Sequence, residues 1–181
     1  MPEPSSRTSV PVRIALGSNL AAPHAAVRRG WDAVVVALAL TRPRLSTLLT
    51  SAPAEGASGG PFANAVGVGY TTLVPAACLA ALQRVERAFG RDRAVEGHHG
   101  ARPLDLDVLD WNGVRMDTTT LQLPHPRSHD RLFVLEPWAE LEPGLACPCC
   151  GIAIADLAHR RRLASQPATS AVTPVRGSTA P

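Results

Sequence analysis

Residues 64–89 read NAVGVGYTTLVPAACLAALQRVERAF, and a change of period inside them decides how the chain is read. From Asn64 to Thr72 the side chains alternate with period two, the pattern of a strand with two different faces. Pro75 then opens a helix that runs to Phe89, with Leu79, Leu82, Val85 and Phe89 recurring at helical spacing as its buried face. A strand joined by a short turn to an amphipathic helix is half of a unit, so the other half is sought on both sides.

Toward the N-terminus, Val12–Leu16 (VRIAL) alternates as a first strand. Pro23 opens a helix to about Leu40, with Trp31, Val34, Val35 and Leu38 among its apolar positions, and Arg44–Thr50 (RLSTLLT) is a second strand. Residues 51–61 (SAPAEGASGGP) form a loop that is cheap to move and suits a lid. Toward the C-terminus, residues 90–102 (GRDRAVEGHHGAR) form a polar loop, and Leu104–Trp111 (LDLDVLDW) is a strand ended by the turn pair Asn112-Gly113. Leu132–Leu141 reads as helical around Pro137. The order β-α-β-β-α-β with C-terminal additions predicts an α+β, ferredoxin-like fold, an antiparallel sheet with two helices on one face. Residues 1–10 are expected to be a flexible arm, 11–163 the folded domain, and 164–181 a tail disordered by composition.

Composition agrees with one globular domain: 45% hydrophobic and 18% charged residues in 181. Aromatics are only 4%, so the core is built mainly from Ala, Val and Leu, and any Phe beside a polar motif stands out. The net charge of +3 does not call for nucleic acid. Every Lys+Arg position is arginine, which clamps phosphate in bidentate fashion. The N-terminus carries no secretory pattern and no stretch is long and apolar enough for a membrane span, so a cytoplasmic protein without membrane contact is expected, working as a monomer. The cysteines Cys78, Cys147, Cys149 and Cys150 do not form a spaced disulfide framework, and Cys147, Cys149 and Cys150 with His159 are poorly spaced for tetrahedral zinc.

The sharpest chemical signal is Asp105-Leu106-Asp107. Side chains at i and i+2 of a strand share a face, so two carboxylates meet on an otherwise apolar strand. Their repulsion is relieved by a cation, and Mg²⁺ takes oxygen ligands while leaving room for phosphate oxygens. Alone, the pair reads rather as acidic residues on an exposed edge facing water. Arg91, Arg93 and Arg102 before it, and His125, Arg127 and Arg131 after it, change that balance, because a bound polyphosphate needs cations around it. Gly17-Ser18-Asn19 reads as a turn into a helix. Phe62 with Asn64, and Phe133, could stack on and hydrogen-bond a flat heterocycle, but without context a core aromatic with a capping amide is the favoured reading.

HHGARPLDLDVL at 98–109 resembles the signature of the hydroxymethyldihydropterin pyrophosphokinases of folate biosynthesis. ALGSNL at 15–20, FANAV at 62–66, QRVERAFGR at 83–91 and LPHPRSHDRLFVLEP at 123–137 resemble the same family in the same order, so the likeness spans about Val12 to Leu163. The resemblance implies a ferredoxin-like enzyme that moves pyrophosphate from ATP to the hydroxymethyl group of 6-hydroxymethyl-7,8-dihydropterin and releases AMP. It implies that Asp105 and Asp107 hold two Mg²⁺ ions and, with Arg91 and Arg102, are catalytic. Gln83, Glu86, Arg93, Arg102, Val108, His125 and Arg131 would lie near ATP, and Ser51, Ala52, Ala54, Phe62, Asn64 and Phe133 near the pterin. His99 stands where some members have a loop tryptophan, Thr120 replaces a basic residue, and Ser51 replaces a threonine. The alternatives are a two-metal nucleotidyl transferase or cyclase, or a non-catalytic ligand-binding module on the same fold.

Overall fold

The computed structural model describes residues 8–52, 60–91 and 102–165. In chain order the elements are β1 (Val10–Ser18), α1 (Pro23–Ala37), β2 (Thr41–Leu45), β3 (Leu49–Ser51), β4 (Phe62–Thr71), α2 (Pro75–Ala88), β5 (Asp105–Trp111), β6 (Met116–Asp117), β7 (Gln122–Leu123), α3 (Leu132–Leu141) and α4 (Ile154–Ser165). The main sheet has the order β2-β4-β1-β5, with β3 beside β4, and all of its pairings are antiparallel. The strands that α1 joins are thus split by β4, which is the ferredoxin-like arrangement.

The first core lies between the sheet and the helix pair α1 and α2. Val12, Ile14 and Leu16 of β1 meet Ala63 and Ala65 of β4, Leu106 and Val108 of β5, and Val27, Trp31, Val34, Cys78, Leu82 and Val85 of the helices. Small residues make this packing possible. A Cβ on Gly67 would sit 2.2 Å from the Trp31 ring, so the glycine leaves the hollow that the indole fills.

The opposite face is covered as well, which the order of elements did not anticipate. Val66, Val68 and Leu109 pack against Val134, Leu135 and Trp138 of α3 and Ile154, Leu157 and Ala158 of α4. α3 runs through Pro137, whose ring is buried, rather than breaking there. α4 had no strong signal in the sequence, because its buried residues are confined to Ile154, Leu157 and Ala158 before an arginine-rich remainder.

Three further differences from the sequence reading have local causes. The single strand expected at Arg44–Thr50 is two strands, because Ser46 leaves the ladder. Its backbone N–H reaches the Val66 carbonyl at 3.0 Å and its Oγ accepts the Val66 N–H at 3.1 Å. The first helix stops at Ala37 rather than Leu40, where Ala39 takes a left-handed φ of 47°. β5 carries a bulge: Arg13 pairs with Asp110 and Ile14 with Val108, so Leu109 is the extra residue. Leu109 packs in the second core, and Asp110 reaches Arg13. β1 already begins at Val10 and α4 extends to Ser165, and of the expected arm and tail residues 1–7 and 166–181 lie outside the described ones.

Candidate active site

α3 and α4 cover only part of their sheet face. Beyond them the register sets two rows side by side. Gly17 of β1 pairs with Asn64 on one side and Asp105 on the other, and Ala15 pairs with Val66 and Asp107. Phe62 shares the face of Asn64 by strand alternation. Gly17 forms the floor between Asn64 and Asp105: a Cβ there would stand 3.5 Å from Asn64 Oδ1 and 4.0 Å from Asp105 Cβ. The Asn64 amide is oriented by its Nδ2, which donates to Ser51 Oγ at 2.9 Å.

Arginines close in on the first aspartate. Arg91 donates from Nη1 to Asp105 Oδ1 at 2.5 Å, and Arg102 donates from Nη1 to Asp105 Oδ2 at 2.5 Å. Arg91 also pairs with Glu86. Glu86 is 1% exposed, and its Oε1 accepts the backbone N–H of Leu106 at 2.9 Å. Arg102 is fixed through its backbone. Asn19 Oδ1 accepts the Arg102 N–H at 2.7 Å, the Asn19 N–H donates to the Arg102 carbonyl at 3.2 Å, and Ser18 Oγ donates to the Pro103 carbonyl at 2.8 Å.

The second aspartate keeps 42% of its side chain open. Burial and then the Asp105 carboxylate push the Asp107 carboxyl above its ordinary value, opposed by His125, Arg131 and Arg91. His125 Nε2 lies 3.8 Å from Asp107 Oδ2, too far for a hydrogen bond. Its Nδ1 accepts the Arg127 N–H at 3.2 Å, which assigns the proton of the neutral ring to Nε2, facing Asp107. Burial lowers the His125 pKa, and Arg131 and Arg127 add to that while Asp107 opposes it. Burial and the two arginines thus favour the neutral ring, in which Nε2 is the N–H donor. The Arg131 guanidinium sits 5.6 Å from the centroid of the Phe133 ring at the start of α3.

The structure thus brings Asp105, Asp107, Arg91, Arg102, His125 and Arg131 to one place, with Asn64 and Ser51 alongside. Gln83 is half-buried on α2, one turn before Glu86. Val108 points its side chain into the first core, so only its backbone is left to face a nucleotide. Ala52 is exposed, and Phe62 is partly so. Arg93, Ala54 and His99 lie outside the described residues. The sequence reading took Gly17-Ser18-Asn19 for a turn. That the glycine is the floor and the next two residues clamp the Arg102 backbone shows only once β1 and β5 are paired.

The donor set fits Mg²⁺. Among the described residues no group of three or more His, Cys, Asp or Glu side chains is arranged to hold a metal. Asp105 and Asp107, on one face of β5, are the carboxylates that could hold Mg²⁺, which takes hard oxygen ligands and leaves positions to water and phosphate oxygens. In the cysteine cluster, Cys147 is a core side chain, its thiol pushed up to about 11, first by burial.

A ferredoxin-like sheet with two carboxylates ringed by arginines, beside an oriented amide on an open floor, defines an enzyme that transfers phosphoryl groups next to a bound heterocycle. Residues 13–143 match the family model described as 7,8-dihydro-6-hydroxymethylpterin-pyrophosphokinase, and the chain belongs to that family. It is 37% identical over 137 residues to 2-amino-4-hydroxy-6-hydroxymethyldihydropteridine pyrophosphokinase of Pseudomonas aeruginosa, covering 76% of this chain and 83% of that one. To the enzyme of the same name from Bacillus subtilis it is 34% identical over 128 residues, 71% of this chain and 75% of that one. The fold matches HPPK-DHPS of Plasmodium falciparum in a structure with pteroate, at a TM-score of 0.66 and 11% identity, over 87% of this chain and 44% of that larger one.

Proposed function

We propose that this chain transfers the pyrophosphoryl group of ATP to the hydroxymethyl group of 6-hydroxymethyl-7,8-dihydropterin, releasing AMP, and that it does so as a cytoplasmic monomer with two Mg²⁺ ions held by Asp105 and Asp107. The observation that supports the reading is the juxtaposition of Asn64 and Asp105 across Gly17, which suits an amide reading a heterocycle beside a carboxylate handling phosphate. When bound, Mg²⁺ would neutralise polyphosphate charge and lower the repulsion met by the incoming hydroxyl.

The chain's own residues supply the rest. With Asn64 Nδ2 committed to Ser51, Oδ1 is the acceptor presented over the floor, where it suits the ring N–H or amino group of a pterin. Phe62 and the partly exposed Phe133 suit the two ring faces. Arg91 and Arg102 are placed to meet charge on the transferring phosphates, and the neutral His125 Nε2–H and Arg131 to steady the AMP side. Positioning and charge carry such a reaction without a strong general base. Binding and orientation are thus asked of residues whose own partners already hold them still.

The test is the product. Incubation with ATP, Mg²⁺ and hydroxymethyl dihydropterin should give AMP and pterin diphosphate in equal amounts, with none formed when either Mg²⁺ or the pterin is withheld. Asp107→Asn should lower the rate by about 100-fold or more, in line with losing a charge that acts on the transferring group, while the thermal transition stays in place. ADP as product, or AMP formed equally without the pterin, would assign the chain to another two-metal nucleotide chemistry.

A further inference from the structure

The resemblance places Glu86 beside ATP, but its surroundings give it other work. It is 1% exposed, on α2, behind β5 rather than in the open cleft. Its Oε1 accepts the N–H of Leu106, the residue between the two aspartates, and the same oxygen pairs with Arg91. Arg91 Nη1 in turn donates to Asp105 Oδ1 at 2.5 Å. One buried carboxylate therefore ties together the end of α2, the strand that carries both aspartates and the arginine that faces the first of them. A fully desolvated carboxylate is kept only where charged or polar groups meet it, and the Leu106 N–H and the Arg91 guanidinium are two such groups.

We infer that Glu86 is a positioning residue: it holds the Arg91 guanidinium in register with Asp105 and pins the backbone between Asp105 and Asp107, without touching nucleotide. The inference rests on the pyrophosphokinase reading. It changes what a mutation should do. A nucleotide ligand lost from the site weakens binding, whereas a lost positioning group leaves binding and lowers turnover through Arg91.

The experiment is a double-mutant cycle on Glu86→Gln and Arg91→Ala, with kcat for AMP formation, the Kd of a non-hydrolysable ATP analogue with Mg²⁺, and the thermal transition measured for each protein. Glu86→Gln keeps an amide oxygen for Leu106 N–H and removes the charge that holds Arg91. Its kcat should fall about 10- to 100-fold, as a misplaced transition-state group does, with Kd within about threefold of the parent. In the Arg91→Ala background the same change should cost less than about twofold more, because the group it positions is already gone. Losses that multiply in the double variant, a Kd that weakens in step with kcat, or an unchanged kcat would each overturn the assignment. If Glu86→Gln does not fold, Glu86→Asp, which keeps the charge and withdraws it by one methylene, is read by the same kcat and Kd criteria. Wild-type protein that makes no AMP would defeat the pyrophosphokinase reading and this inference with it, whereas a wild type that turns over beside a multiplicative cycle defeats the inference alone.

Discussion

Gly17 is a residue whose side chain is useful by being absent. Its neighbours across the sheet are Asn64 and Asp105, and the space above it is what a flat ring and a phosphate would share. Its backbone is ordinary strand, so a branched residue there satisfies the strand while filling the floor. Gly17→Val should weaken binding of hydroxymethyl pterin by about 10-fold or more, since overpacking a fitted site costs about 1–3 kcal/mol. The melting temperature should move by only a few degrees. A titration of pterin fluorescence beside a thermal melt checks both, and unchanged pterin affinity would remove Gly17 from the site. Asp105 and Asp107 were legible in the sequence because strand period alone puts them on one face. The contacts that Asn19 and Glu86 make were not legible. Asn19 meets a residue 83 positions away, and the burial of Glu86 depends on how α2 lies behind β5.

At the scale of elements, the bulge in β5 and the end of α3 are held by a set of charges. Arg13 on β1 donates from Nη1 to Asp110 Oδ2 at 2.8 Å, and from Nε and Nη2 to the two Glu142 oxygens at 2.9 Å. Trp138 Nε1 donates to Glu142 Oε2 at 3.1 Å. The cluster links the strand of the aspartates to the helix that carries Phe133. Burial pushes the Glu142 carboxyl up, but the hydrogen bonds from Arg13 and Trp138 outweigh it and hold the carboxyl below its ordinary 4.5. A carboxyl depressed in the folded state adds stability above its unfolded pKa, and that contribution is lost as pH falls through the folded value. The melting temperatures of wild type and Glu142→Gln should therefore differ most at neutral pH and converge as pH drops below about 4.5, ordinary for Glu. A gap that stays constant down to acid pH would show that Glu142 acts through packing instead. This cluster was not legible from residue order, because it is the bulge at Leu109 that sets Asp110 opposite Arg13.

For the whole molecule, the two faces of the sheet were unequally readable. The face under α1 and α2 follows from period-two strands and period-3.6 helices. The other face depends on α4, which lies beyond residue 143, where the family match ends. Yet Ile154 is fully buried and Leu157 is 7% exposed, both in the cluster that contains Trp138. The approach to α4 is tied down too, with the Ile154 N–H donating to the Leu145 carbonyl at 2.9 Å and Ala146 bridging to Ala153. Burying two such aliphatic side chains stabilises by about 3–6 kcal/mol, against a total of about 5–15 kcal/mol for a typical domain. A chain ended after Ala153 should therefore melt about 10–20 °C lower. Because α3 packs on β4 on one side and on α4 on the other, the loss should also loosen Trp138, read as a weakened near-ultraviolet signal. Phe133 rides on the same helix and Arg131 stands at its N-cap, so pterin affinity should fall with it, while the pairing of β1 with β5 that sets Asp105 and Asp107 remains. A truncated chain with an unchanged melting temperature and unchanged pterin affinity would mean that α4 is an appendage rather than part of the second core.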